Sequence, residues 1–213
     1  IAGGANRIEL CSALDSGGLG HALLFCGPAR LGKRAVADAL AAHVLGLDRE
    51  VRSAQLLAAG THPDFHAVSF VPTKDGTKLR TEIVIDQIRE LSAKLSLTPQ
   101  YGSAQVAIVD PADAVNTSAC NALLKTLEEP QPGRHLWLIA ANPLRLPATI
   151  RSRCQRIEFR LPPREEALAW LAGRGHREAG AVEALDAARG HPGLAAEWLD
   201  GGGMALRREV AKD

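Results

Sequence analysis

The sequence has few aromatic residues, no paired cysteines, no long apolar run and almost no net charge, and each shortage removes a class of function. Aromatics make up 4% of the 213 residues and the formal charge is +1. The chain therefore has neither a row of base-stacking platforms nor a basic field, and tight nucleic-acid binding by this chain alone is not expected. No apolar stretch approaches the ~20 residues of a membrane-spanning helix, and nothing near Ile1 reads as a signal peptide. The expectation is a soluble cytoplasmic protein with no membrane partner, its start trimmed. Cys11, Cys26, Cys120 and Cys154 are the four cysteines. None lies in a C-x-x-C spacing, so neither a disulfide framework nor a zinc knuckle is indicated. His62 and His66 flank Pro63 without further ligands nearby, which reads as a surface loop rather than a metal site.

What is present is a regular alternation. His21 to Cys26 is a short apolar run ending in a glycine turn, the mark of a buried strand. Val36, Leu40 and Val44 give a helical stripe over 33–45, and Ile85, Ile88, Leu91 and Leu95 give another over 84–97. Strands are expected at 65–70, 105–109, 136–141 and 155–159. A helix over 118–129, with Ala119, Ala122, Leu123 and Leu127 on one side, is stopped by Pro130. This order predicts an α/β fold, a parallel sheet flanked by helices. After Leu161-Pro162-Pro163 the composition turns to Ala, Leu, Glu and Arg, with helical stretches around 165–172, 179–189 and 194–199. The expected domains are 1–161, α/β, and 162–213, a small all-helical lid.

Between the first strand and helix lies Gly27-Pro28-Ala29-Arg30-Leu31-Gly32-Lys33-Arg34. Glycines at these positions let backbone N–H groups converge on phosphate oxygens, and Lys33 reaches the outer phosphates. The pattern then calls for a serine or threonine whose hydroxyl holds magnesium. Arg34 stands there instead, and a guanidinium has only N–H donors and a fixed positive charge. Asp110, directly after the 105–109 strand, is placed as the usual magnesium carboxylate. The next residue is Pro111 rather than the acid that would orient water. Asp113 reads as a cap for a following turn or helix. The loop is thus expected to keep its scaffold without hydrolysing ATP.

Three further strings carry a resemblance. Asn121-Ala122-Leu123-Leu124-Lys125-Thr126-Leu127-Glu128-Glu129-Pro130, then Asn142-Pro143, then Ser152-Arg153-Cys154 follow the phosphate loop in an order that resembles the AAA+ clamp-loader proteins over nearly the whole chain. Within that family the degenerate loop resembles a non-catalytic stator subunit of the bacterial DNA polymerase III clamp loader. Gly193, in Gly190-His191-Pro192-Gly193-Leu194, falls where the hydrolysing subunits carry a sensor arginine. The resemblance implies that Arg153 is an arginine finger acting on a neighbouring subunit's ATP. It implies the gamma or tau ATPases and the delta subunit as partners, the sliding clamp and primer-template DNA being reached through the complex. A helical collar domain is implied beyond these residues. The family also implies a four-cysteine zinc module near 47–62, but that stretch has no cysteine, so no zinc is expected. No cofactor is expected to be required, with ATP binding weak or lacking.

For Arg153 the alternative is an ordinary surface ion pair. Cys154 reads as a small buried residue rather than a nucleophile. Lys125, Glu128 and Glu129 read as a solvated helix face with interface contacts as the alternative, and Trp137, Trp170 and Trp198 as packing residues. Competing readings are an active ATPase of the gamma or tau type, a small-molecule kinase on the same loop, and nucleotide held without hydrolysis.

Overall fold

The computed structural model describes residues 7–46, 55–57, 59–73, 76–176 and 179–203. Five strands, β1 (Ala22–Cys26), β2 (Phe65–Val68), β3 (Gln105–Val109), β4 (Arg134–Ala140) and β5 (Gln155–Glu158), form one sheet in the order β2-β3-β4-β1-β5. Every pairing is parallel. All five residues of β1 and of β3 are buried, as strands covered on both faces must be. On one face Leu24, Val109 and Leu138 pack with Ile88 and Leu91 of α3 (Ile85–Leu95) and Leu123 and Leu127 of α4 (Thr117–Glu128). On the other, the Phe25 and Trp137 rings meet edge to face, their centroids 6.0 Å apart.

Helices α1 (Arg7–Asp15) and α2 (Lys33–Val44) precede and follow β1, and the short α5 (Ala148–Arg151) leads into β5. The buried stripe of α2 is Ala37, Leu40 and Ala41 together with Lys33, not the expected Val36-Leu40-Val44. Small side chains face the sheet, so the helix lies close to it. β4 starts at Arg134, two residues earlier than its apolar run suggests. The Arg134 guanidinium donates to the carbonyls of Leu95 and Leu97 at 2.9 and 2.7 Å, satisfying groups left over at the end of α3. His62 is buried, 3% exposed, which corrects the surface-loop reading. Its Nδ1 accepts the Asp64 N–H and its ring lies beside Tyr101. Asp64, also buried, accepts the backbone N–H groups of Gln100 and Tyr101 and so fixes the turn before β3.

A second compact unit contains residues from Phe159 onward together with Pro28–Gly32. Its helices are α6 (Arg164–Gly173), α7 (Ala179–Ala187) and α8 (Pro192–Asp200). Ala167, Leu171, Ala184, Leu185 and Ala195 form its core, with alanines allowing close helix approach. Arg164 forks onto the Asp186 carboxylate, and the Arg174 guanidinium lies 5.0 Å from the Trp170 ring centroid. Among the described residues no helix is long and apolar enough to cross a membrane.

Candidate functional site

The phosphate loop leaves β1 at Gly27, whose φ of 133° needs a glycine, as does the 81° at Gly32. Lys33 is buried at the start of α2 and its ammonium donates to the Gly27 carbonyl at 2.8 Å. Burial holds its pKa below the ordinary lysine value, partly countered by Asp110 and Asp113. The loop's cation is thus turned onto the loop's own backbone.

Arg34 projects from the same turn. Its Nε donates to Asp38 Oδ1 at 2.8 Å, and Nη1 stands 3.6 Å from Asp110 Oδ2. Asp110 is pushed above the ordinary aspartate value by burial, while Arg34 and then Lys33 draw it back. The carboxylate that would face a magnesium ion therefore faces a guanidinium, and the residue in the hydroxyl position is that same guanidinium. These residues do not fit a magnesium ion. Pro111 follows without an acid, and Asp113 is not a cap. Its carboxylate accepts the Asn142 N–H at 2.8 Å and ties the end of β3 to the end of β4. The Asn142 side chain in turn caps the short turn at Pro143–Arg145.

The loop segment grouped with the helical unit is held there by three contacts. His191 Nδ1 accepts the Leu194 N–H, which leaves Nε2 as the donor to Ala29 O at 2.6 Å. Arg30, in a left-handed conformation at φ 62°, pairs with Glu197 at 2.7 Å. A Cβ on Gly193 would collide with the Arg30 carbonyl. Gly193 is therefore more than a missing arginine, because the backbone of the loop occupies the space of any side chain there.

Ser152-Arg153-Cys154 follows α5. Cys154 is buried in the sheet core, and burial pushes its thiol up to about 11. Such a thiol is no nucleophile at neutral pH. The Ser152 hydroxyl and Arg153 Nη1 both donate to Thr149 O, at 3.2 and 2.8 Å, closing the end of α5. Arg153 Nη2 reaches Glu128 Oε1 at 2.6 Å, the two side chains being 37% and 47% exposed. Glu128 is the residue that the sequence reading left as solvated, and its place in the Leu-Glu-Glu-Pro string was the available signal. The structure brings Gly27, Lys33 and Asp110 together around the start of α2, and Gly32 directly precedes Lys33 in the chain. Arg153 pairs with Glu128, while Ser152 bonds Thr149 O and Cys154 lies in the core. Among the described residues no group of three or more His, Cys, Asp or Glu side chains could hold a metal ion. Most of the stretch where a zinc module was considered lies outside them.

A five-stranded parallel sheet in this order, a glycine loop between β1 and α2, and a following helical unit define a P-loop protein of the AAA+ class. A DNA polymerase III gamma subunit-related protein from Thermotoga maritima superposes with a TM-score of 0.57 at 21% identity, over 92% of this chain and 60% of that one. The family described as "DNA polymerase III, delta subunit" matches residues 6–163, and the chain belongs to it. It is 40% identical over 196 residues to DNA polymerase III subunit delta' of Pseudomonas aeruginosa, covering 88% of this chain and 58% of that protein. To the Haemophilus influenzae subunit delta' it is 32% identical, covering 96% and 62%. The chain thus spans about three fifths of the length of these relatives.

Proposed function

We propose that this chain is the AAA+ part of a non-catalytic stator subunit of the DNA polymerase III clamp loader, and that Arg153 serves the ATP site of a neighbouring gamma or tau subunit. The observation that carries this reading is the Arg34 guanidinium set against Asp110. A site whose magnesium carboxylate is engaged by a fixed cation does not hydrolyse ATP, so any contribution to turnover comes from elsewhere. Arg153 is the group suited to it. A guanidinium beside the terminal phosphate stabilises charge that develops in the transition state. The delta subunit, the sliding clamp and primer-template DNA are the further partners in this reading, which requires neither zinc nor bound ATP in this chain.

The test is DNA-stimulated ATP turnover by a loader reconstituted with the full-length subunit and its cognate partners. Arg153→Ala lowers turnover, by on the order of a thousandfold at the site it serves, with assembly intact. Turnover equal to wild type would remove Arg153 from the mechanism.

A further inference from the structure

We infer that Glu128 is a positioning residue that sets the Arg153 guanidinium in the orientation needed to engage a phosphate on another subunit. The inference rests on the reading of Arg153 given above. An exposed arginine carries about 2 kcal/mol of side-chain rotamer entropy, and losing it during docking would weaken the engagement. Here that freedom is already restricted. Nη1 is held by Thr149 O and Nη2 by Glu128 Oε1. Both anchors adjoin buried residues. Glu128 follows Leu127, 3% exposed, and Thr149 precedes Ile150, 0% exposed. Arg153 itself is followed by the buried Cys154. Two of the five guanidinium N–H groups are engaged in these contacts, which leaves three to donate elsewhere.

The location of Glu128 supports a role beyond stability. It is the last residue of α4 and is followed by Glu129, and carboxylates at a helix C-terminus oppose the helix dipole. An exposed ion pair of this kind contributes little to folding. Its effect lies in orientation, where a misplaced catalytic group costs rate steeply.

The experiment compares wild type, Glu128→Ala, Glu128→Gln, Arg153→Ala and the Glu128→Ala/Arg153→Ala double variant. Each is the full-length subunit in the reconstituted loader, with turnover measured against ATP concentration. Glu128→Ala is expected to lower kcat by about three- to tenfold, with the KM for ATP and the melting temperature of the subunit unchanged. Glu128→Gln, which retains an acceptor oxygen, recovers part of that loss. The double variant is no slower than Arg153→Ala, because Glu128 acts only through the arginine. A normal or faster kcat in Glu128→Ala, or additive losses in the double variant, overturns the positioning role while Arg153 stands. An Arg153→Ala loader as fast as wild type overturns both.

Discussion

Arg34 and Arg153 belong to the same α/β unit, and they are used in opposite ways. Arg34 is set against the carboxylates beside the phosphate loop, its charge engaged by Asp38 and by Asp110, the carboxylate placed to face a magnesium ion. Arg153, about as exposed as Arg34, is instead braced by the Thr149 carbonyl and Glu128 and keeps N–H groups to spare. The first arrangement neutralises a site from within. The second, on the proposed reading, keeps a cation available to a neighbouring subunit. On the proposed reading, a subunit loses its own chemistry and still retains a part in a neighbour's, since the two roles fall to different residues.

The largest expected contrast sets Arg153→Ala against Lys33→Ala in the reconstituted loader. If the proposed reading holds, the first cuts ATP turnover severely, while the second leaves it within about twofold, because Lys33 would then serve a site with no transition state to stabilise. Comparable losses from both would make the phosphate loop catalytic and erase the distinction. Next comes Gly193→Leu, which forces a side chain against the Arg30 carbonyl. Urea unfolding should show a loss of about 1–3 kcal/mol, with no magnesium-dependent ATP turnover gained by Gly193→Arg.

A smaller effect, about 1 kcal/mol at neutral pH, is expected for Arg34→Met, which leaves Asp110 partly buried without its guanidinium. Asp110 already lies above its ordinary value, and removing Arg34 pushes it higher. With the folded value above the unfolded one, stability is lost as pH rises through the folded value. The Arg34→Met deficit should therefore shrink as the pH is lowered. Smallest is the acid response of the sheet. Burial lowers His66 and His135 from the ordinary 6.5. Their contribution is fully present above that value and falls as pH drops through the folded values, because the unfolded chain then binds more protons. Melting temperatures measured between pH 7.5 and 5 should decline, and His135→Phe should flatten part of the decline.

Most strands and the longer helices were legible because their apolar periods are clean. β1 and β3 read as buried runs, and α3 showed its Ile88-Leu91-Leu95 face. The elements missed lack such a period. Among the described side chains of α1 only Leu10 is buried while Ile8 is 70% exposed, and α5 has four residues, just over one turn. At the phosphate loop the sequence exposed the wrong residue type at position 34. It did not reveal that the guanidinium meets Asp110, a contact between segments far apart in the chain. The same holds for Glu128 and Arg153. A helix-end acid reads as solvated until the fold brings the end of α5 beside it, and Gly193 reads as a replaced arginine until the Arg30 carbonyl is found against it.

Cys154 gives the outward-facing end an intrinsic gauge. The thiol is adjacent in sequence to the displayed arginine, yet it lies in the core with its ionisation pushed up to about 11. The two residues share one stretch of backbone, so a displacement of that backbone carries the sulfur with it. The rate at which a mild alkylating reagent modifies Cys154 would therefore clock the opening of this corner of the molecule, and slower labelling upon assembly would register a neighbour closing over it.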